Sequence, residues 1–534
     1  KLPPVMQNTA ALGALLHLMG FDVEVAAEIL SETFKKKGQE VIDQNVGVLR
    51  AGHEYAAAHA QPLGQRWKFS RKRRPVVTGN QMIALGAVAG GCKFYSAYPM
   101  SPASFILHWL AAHSEQVGVL VKQAEDELAV VNLAIGAGHA GVRSMCATSG
   151  GGFALMTEAI GMAGMIETPV VVVNVQRGGP STGIPTKTEQ GDLNQAFGAS
   201  QGDYPRVIVA VKDALDCFHA TVEAFNLAET FQLPVILISD LLLGEHRSTV
   251  DPEAIPSKVP IERGEWVTEL APEASLNGGY KRYALTPSGV SPRARPGRAG
   301  MIYVSGTDDH DEKGILISDE HTNPAIRRKM HEKRMRKMDG VRARLKPPVL
   351  EGPAAAEVTL IGWGSTWSVI QEAAAELTRS GLKTNQLHFK YIHPFHGAGS
   401  RLDPGQLQAI HGAGVHSDHE RSFGSAVRPV HELDLPDRLA VLPPVRALES
   451  AGTRPLLEVD ADVVVGHLPR LVVFHPEVHR LPRHEVFHAP DDVGGLEGLA
   501  VVPREDVIDA EAALRPEMAG ELAGEVVLHH DRPL

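Results

Sequence analysis

Four short loops decide the fold of this chain: YPMSP at 98–102, QAEDE at 123–127, TSGGG at 148–152 and RGGPSTG at 177–183. They follow four apolar runs that predict strands at 93–97, 117–122, 143–147 and 169–175. Helical patterns follow the second and third loops, and this alternation predicts a parallel sheet with right-handed crossovers. In such sheets the loops after the strands gather at one edge, where ligands bind. We therefore expect hydroxyls, carboxylates, glycines and an arginine to share one site.

Composition limits the function classes. The chain has 534 residues, a net charge of −11 and 22% charged residues, which predicts several globular domains and argues against a nucleic-acid partner. It has no run of about 18 apolar residues, so no membrane span is expected. Three scattered cysteines form no Cys-x-x-Cys motif, which excludes a zinc or iron–sulfur site built from them alone. They fit burial in the core and a cytoplasmic location.

The chain divides into five predicted segments. They are helices at 1–60, a polar and basic linker at 61–76, an α/β domain at 77–240, an irregular excursion with a basic helix at 241–350, and a second α/β domain at 351–534. The basic helix, at 323–346, predicts either a solvated face or an acidic neighbour. The acidic stretch at 303–312 favours a surface loop or a partner contact over a metal site.

The second α/β domain begins with a strand at 358–361, the turn GWGST at 362–366, a helix at 367–380 and a strand at 387–391. A Gly-x-Gly turn after a strand can cradle a phosphate, but such turns also close ordinary strand–helix units. After Lys390 the chain contains no lysine, whereas 13 of its 25 histidines lie there. Four of these, His475, His479, His484 and His488, have spacings compatible with metal ligation, but supporting cysteines and paired carboxylates are missing. The sequence does not fix the boundary or the fold of this domain beyond about residue 400.

The YPMSP loop resembles the Tyr-Pro-Ile-Thr-Pro signature of 2-oxoacid:ferredoxin oxidoreductases. The other three loops resemble further signatures of that family, in the same order and spacing, and PTKTEQ follows at 185–190. The resemblance covers roughly residues 1–395 and points to the alpha subunit of the 2-oxoglutarate type. Residues 1–60 resemble the tail of the gamma domain that some members fuse before alpha. The implied fold is two thiamine-enzyme-like parallel-sheet domains, of pyrimidine-binding and then transketolase C-terminal-like type, after a helical remnant of a gamma domain.

This resemblance implies oxidative decarboxylation of a 2-oxo acid to an acyl-CoA, with thiamine diphosphate as cofactor, coenzyme A as co-substrate and ferredoxin as electron acceptor. The chain has no Gly-Asp-Gly motif with a metal-binding asparagine, and no cysteine set for a cluster. By the resemblance, magnesium and the iron–sulfur cluster belong to a beta subunit. We expect no metal on this chain, and activity only with that partner.

The resemblance also assigns site residues. In thiamine enzymes a sheltered carboxylate with a raised pKa contacts the aminopyrimidine ring and directs proton transfer. Family position favours Glu125 for this catalytic role, with Glu127 as the second candidate. Both could instead merely cap the helix that begins near Asp126. The other expected cofactor contacts are Tyr98, Pro99, Ser149 and Gly150.

The 2-oxo acid is an anion, and the planar guanidinium of Arg177 suits its carboxylate. Ser101 and Thr182 can donate hydrogen bonds to the same group or to the oxo oxygen, and Lys187 can meet the distal carboxylate of 2-oxoglutarate. The chain has Met100-Ser101 where the family pattern has Ile-Thr, so the hydroxyl is retained.

Three alternatives stay open. The substrate can be pyruvate or another 2-oxo acid, or the chain can belong to a transketolase-like thiamine enzyme that uses no ferredoxin. A partner with an iron–sulfur cluster discriminates between these two. The third alternative is a non-catalytic subunit, against which Glu125, Arg177 and Ser101 argue.

Overall fold

A computed structural model describes residues 6–64, 72, 74–269, 279–317, 324–395 and 470–473. Three helices come first: α1 (Gln7–Met19), α2 (Val23–Phe34) and α3 (Gln39–His59). The side chain of Asp22 caps α2 by accepting a hydrogen bond from the Glu24 N–H, as short polar residues do at helix starts. Helix α3 packs along α1 and buries Leu49 completely. The helices predicted for this part of the chain are confirmed.

The main sheet has seven strands among the described residues: β2 (Phe94–Ala97), β3 (Leu120–Gln123), β4 (Ser144–Thr148), β5 (Val170–Gln176), β6 (Val207–Ala210), β7 (Pro234–Asp240) and β12 (Tyr391–His393). Their order is β12-β6-β7-β5-β4-β2-β3. All neighbours are parallel except β12, which runs antiparallel to β6. The predicted parallel sheet is confirmed. A separate short pair joins β1 (Val76–Val77) to β8 (Ser248–Thr249).

Helices cover both faces of this sheet: α4 (Gly79–Ala89), α5 (Ser104–Val117), α6 (Glu127–His139), α7 (Gly150–Met165), α8 (Leu193–Gly198), α9 (Ala214–Phe231) and α10 (Leu241–Glu245). Alternate residues of β5 enter two different cores, with Val171 beside residues of α4, α5 and α9, and Val172 beside residues of α6 and α7. Every residue of β5 is buried, as expected for a parallel strand covered on both sides.

A second sheet contains, among the described residues, β9 (Leu350–Glu351), β10 (Val358–Trp363), β11 (Thr384–Phe389) and β13 (Arg470–Val473), in the order β13-β10-β11-β9. Strand β10 runs parallel to β11 and β13, and β9 is antiparallel to β11. The helix α12 (Thr366–Arg379) follows β10 and buries Ile370 against it. The second α/β unit is therefore present. Most of the chain after residue 395, including the four histidines at 475–488, lies outside the described residues.

Two strand predictions were wrong in their bounds. The run 117–122 begins as helix, because α5 continues to Val117 and ends at Gly118, whose φ of 63° is left-handed. The run 387–391 divides at Lys390 between β11 in the second sheet and β12 in the main sheet. Helices α4 and α5 were not predicted.

The basic helix α11 (Pro324–Arg344) has an acidic neighbour rather than a wholly solvated face. Lys333 and Lys337 are fully buried, and each ammonium lies 2.5 Å from the carboxylate of Glu167. Arg334 pairs with Asp309 at 3.2 Å, so the acidic stretch at 303–312 contacts this helix. Asp309 therefore contributes to packing within the chain.

The excursion before α11 begins with the helix α10 and the strand β8, whereas its described residues at 279–317 form no regular helix or strand, and it is tied to the main domain. Glu229 on α9 is buried and accepts hydrogen bonds from Arg143 at 2.8 Å and Arg293 at 3.1 Å. Cys92, Cys146 and Cys217 are free and buried, which confirms their interpretation as core residues. None of the described helices combines the length and apolar character that a membrane span needs.

Candidate active site

The carboxyl ends of β2, β3, β4 and β5 lie at one edge of the main sheet, because all their pairings are parallel. The four polar loops begin there. Thr148 Oγ1, at the start of the third loop, lies 3.7 Å from Met100 Sδ in the first. The expectation that these loops share one edge is confirmed.

The two candidate glutamates differ in burial. Asp126 caps α6, since its carboxylate accepts a hydrogen bond of 2.8 Å from the Ala129 N–H. Glu125 precedes the cap and is exposed, whereas Glu127 is the first helical residue and is only 3% exposed. Glu127 Oε1 has no hydrogen-bond partner among the described residues. Burial raises the pKa of Glu127, and the neighbouring Asp126 raises it further. The shelter expected at Glu125 is therefore found at Glu127.

The glycine-rich loop brings the start of α7 against this glutamate. A Cβ on Gly152 would overlap both Thr148 Oγ1 and Glu127 Oε1, so only glycine allows this close approach. Ser149 occupies the N-cap position of α7, yet its side chain caps no N–H group. Its Oγ is buried and has no hydrogen-bond partner in the described part of the chain. Two buried oxygens, on Glu127 and Ser149, are thus left for another molecule.

On the other side of the loop lies Asp192, which the sequence analysis missed. A Cβ on Gly150 would be 2.5 Å from Asp192 Oδ1. Asn174 Nδ2 donates to Asp192 Oδ2 at 3.1 Å, and the Asp192 N–H donates to Gln176 Oε1 at 3.0 Å. The pKa of Asp192 is raised to about 6, chiefly by burial and to a smaller extent by the charge of Glu189. In the sequence, Asp192 is marked only by its position shortly after the fourth loop. The polar residues next to it share that position, so the sequence does not single it out.

Arg177 joins the first and fourth loops. Its Nη1 donates to the Ser101 carbonyl at 2.6 Å, and its Nη2 donates to the Thr182 carbonyl at 3.1 Å. The side chains of Ser101 and Thr182 are exposed. Ser101 and Thr182 therefore contact the Arg177 guanidinium through their backbone carbonyl oxygens and not through their hydroxyls.

Three further predicted residues lie on the same loops. Tyr98 and Pro99 are exposed in the first loop. Lys187 is exposed beyond the fourth loop, where its carbonyl accepts a hydrogen bond of 3.0 Å from the Gly178 N–H. Among the described residues no group of three or more His, Cys, Asp and Glu side chains could hold a metal ion.

Comparison with known families defines the class of protein. Residues 85–327 match the family described as "Pyruvate flavodoxin/ferredoxin oxidoreductase, thiamine diP-bdg". Residues 2–55 match "Pyruvate ferredoxin/flavodoxin oxidoreductase". The main sheet and its loops thus belong to a thiamine-diphosphate-binding class of domain.

Similar proteins narrow this class. The chain is 35% identical over 411 residues to subunit alpha of 2-oxoacid:ferredoxin oxidoreductase 2 from Aeropyrum pernix, which covers 73% of this chain and 62% of that protein. It is 34% identical over 320 residues to the 2-oxoglutarate synthase subunit KorA from Archaeoglobus fulgidus, across 60% of this chain and 82% of the relative. The chain belongs to the family of 2-oxoacid:ferredoxin oxidoreductase alpha subunits. It spans about three fifths of the length of the Aeropyrum relative.

A solved structure agrees. The 2-oxoglutarate:ferredoxin oxidoreductase from Magnetococcus marinus, with 2-oxoglutarate, coenzyme A and succinyl-CoA bound, is 38% identical in sequence with a TM-score of 0.67. The match covers 76% of this chain and 68% of that chain. The family and α/β fold class predicted from the sequence are confirmed.

Proposed function

We propose that this chain is the alpha subunit of an enzyme that oxidatively decarboxylates a 2-oxo acid to an acyl-CoA and passes the electrons to ferredoxin. The substrate best supported is 2-oxoglutarate, since it is named in the KorA relatives and is bound in the Magnetococcus structure. The observation that carries the proposal is the buried oxygen of Glu127, which has no hydrogen-bond partner among the described residues and lies close against Gly152 of the glycine-rich loop.

The residues present fit thiamine diphosphate, the cofactor named in the description of the matching domain family. When bound, this cofactor accepts the electron pair left behind as carbon dioxide departs. Glu127 would hold the aminopyrimidine ring, because it is buried and keeps its proton at a higher pH than an exposed glutamate does. We assign the proton role to Glu127 rather than Glu125 for this reason. Ser149 and Gly150 would line the ring, with Tyr98 and Pro99 on the adjacent loop.

The first and fourth loops would bind the substrate. Arg177 would bind the carboxylate next to the oxo group through the N–H groups that its bonds to the Ser101 and Thr182 carbonyls do not use, since a guanidinium carries five donors in one plane. The hydroxyls of Ser101 and Thr182 would donate to the same end of the substrate. Lys187 would bind the distal carboxylate of 2-oxoglutarate.

The remaining components belong to partners. A beta subunit would hold the magnesium ion, the cofactor diphosphate and the iron–sulfur cluster, and ferredoxin would accept the electrons. This assignment is supported by the alpha-subunit naming of the relatives and by the lack of the corresponding motifs in this sequence. The chain would work in the cytoplasm.

Pyruvate is the second candidate substrate, because both matching family descriptions name it. Lys187 distinguishes the two candidates, since pyruvate has no distal carboxylate for it to bind.

The test uses the complex purified with its native partners. Reduction of a viologen dye is measured in the presence of coenzyme A, with 2-oxoglutarate or pyruvate, for wild type and for Lys187→Ala. We expect 2-oxoglutarate to be the better substrate, and Lys187→Ala to raise its KM while leaving that of pyruvate unchanged. If neither acid reduces the dye and no iron accompanies the chain, the ferredoxin enzyme is wrong and a transketolase-like or non-catalytic subunit replaces it.

A further inference from the structure

The turn GWGST at 362–366 makes direct contact with the main sheet. Ser365 Oγ donates a short hydrogen bond to Asp240 Oδ2 at the end of β7. Gln190 Nε2 donates to the same Asp240 oxygen at 2.9 Å and lies 3.1 Å from Ser365 Oγ. Asp240 is 1% and Gln190 is 2% exposed. A half-buried residue of the second sheet's turn therefore completes a polar triad with two buried residues of the main domain.

The backbone of the turn is fitted to this contact. Gly364 has a φ of 62°, and a Cβ there would lie 3.0 Å from Gln190 Nε2. His388 Nε2 donates to the Gly364 carbonyl at 2.9 Å from the second sheet. The Ser365 hydroxyl, which could have bound a phosphate at this Gly-x-Gly turn, is thus bonded to Asp240. The turn joins two parts of the chain.

Gln190 lies near the end of residues 177–192, which we call the substrate loop because it carries Arg177, Thr182 and Lys187. Most residues between 181 and 188 are exposed, so the loop depends on its ends for a fixed position. Arg177 fixes one end through its bonds to backbone carbonyls. At the other end Thr188 Oγ1 accepts from the Leu242 N–H at 3.3 Å.

Asp240 holds the end of the loop that carries Thr188 and Gln190. Its Oδ1 accepts a hydrogen bond of 3.0 Å from the Leu243 N–H and so caps α10, the helix that also carries the Thr188 contact. Its Oδ2 accepts from Ser365 and Gln190. Loss of a hydrogen bond to a buried polar group is costly, so removing one donor from Asp240 should loosen the anchor.

We propose that Ser365 is a positioning residue for the substrate loop, acting through Asp240 and Gln190. The second sheet thereby fixes the position of the substrate loop, whose side chains would bind the 2-oxo acid. No residue of that sheet needs to contact the substrate. The effect on substrate binding rests on the proposed function, whereas the effect on the loop does not.

The test compares Ser365→Ala with two controls in the co-purified complex. Ser365→Thr keeps the hydroxyl, and Ser380→Ala removes an exposed hydroxyl at the other end of α12, whose one hydrogen bond to a described residue is to the Leu377 carbonyl. Hydrogen–deuterium exchange is followed in peptides from residues 177–192, and steady-state kinetics are measured with 2-oxoglutarate.

We expect Ser365→Ala to speed exchange in the substrate loop and to raise the KM for the 2-oxo acid roughly 5- to 30-fold, with kcat changed less than KM. Both controls should match wild type in exchange and in kinetics. Exchange in Ser365→Ala equal to that in Ser380→Ala would overturn the inference. Faster exchange in a complex whose wild type turns over no 2-oxo acid would instead overturn the proposed function and leave the anchor intact.

Discussion

Two turns in this molecule have similar sequences but differ in their hydrogen bonding. TSGGG at 148–152 and GWGST at 362–366 each follow a parallel strand, contain glycines and a serine, and lead into a helix. At the first turn, the buried Ser149 Oγ and Glu127 Oε1 have no partner among the described residues. At the second, Ser365 bonds to Asp240. The two serines therefore differ in their hydrogen bonding: Ser149 Oγ has no partner among the described residues, whereas Ser365 Oγ is bonded within the chain, and the sequence pattern does not show this difference.

The largest effect expected from this comparison is at Gly152. In Gly152→Ala the new methyl group would overlap Thr148 and Glu127, and such overpacking costs about 1–3 kcal/mol. We expect thiamine diphosphate affinity of the complex to fall roughly 10- to 100-fold, as measured by calorimetric titration. Gly151→Ala is the matched control, because its nearest neighbour, the Ser181 carbonyl oxygen, would be 3.5 Å away. Equal affinities for thiamine diphosphate in Gly152→Ala and Gly151→Ala would contradict this prediction.

A smaller effect concerns Asp192 and pH. Burial raises its pKa to about 6 from an ordinary 3.8, so between these values the folded chain keeps a proton that the unfolded chain has lost. Stability therefore falls as pH rises from 4 to 6, and Asp192→Asn removes this loss. Between pH 4 and pH 7 we expect wild type to lose roughly 2–3 kcal/mol of stability relative to Asp192→Asn. Melting temperatures across this range measure it, and a constant difference between the two proteins would refute it.

The smallest effect compares the same substitution at both turns. Ser149→Ala removes a hydroxyl that bonds to no described residue, so without cofactor the melting temperature should stay within error of wild type. Ser365→Ala removes a donor from a buried carboxylate and should cost about 1–2 kcal/mol. Differential scanning fluorimetry of the cofactor-free chain measures both. A lower melting temperature in Ser149→Ala, with an unchanged melting temperature in Ser365→Ala, would contradict this prediction.

The sequence predicted the part of the site that depends on local order. Loops after parallel strands must share an edge, so the neighbourhood of Ser101, Thr148 and Arg177 followed from strand order alone. The choice between Glu125 and Glu127 did not follow from it. That choice depends on which residue caps α6, and the cap at Asp126 leaves Glu125 outside the helix and turns Glu127 into the interior.

Contacts between distant residues were the part that sequence could not give. Lys333 and Lys337 are buried because Glu167, more than 160 residues earlier, lies against them. Ser365 meets Asp240 across 125 residues. A dense run of basic residues or a glycine turn has the same local pattern whether its partner is water, a ligand or another part of the chain.

We propose that the buried Glu127, and not the exposed Glu125, directs proton transfer. The measurement is kcat for coenzyme A-dependent viologen reduction with 2-oxoglutarate, in co-purified complexes carrying Glu127→Gln or Glu125→Gln. General acid–base catalysis contributes typically 10²–10⁴-fold, so we expect a loss of about that size in Glu127→Gln and at most about a twofold change in Glu125→Gln. A severe loss in Glu125→Gln with near-normal turnover in Glu127→Gln would contradict this account.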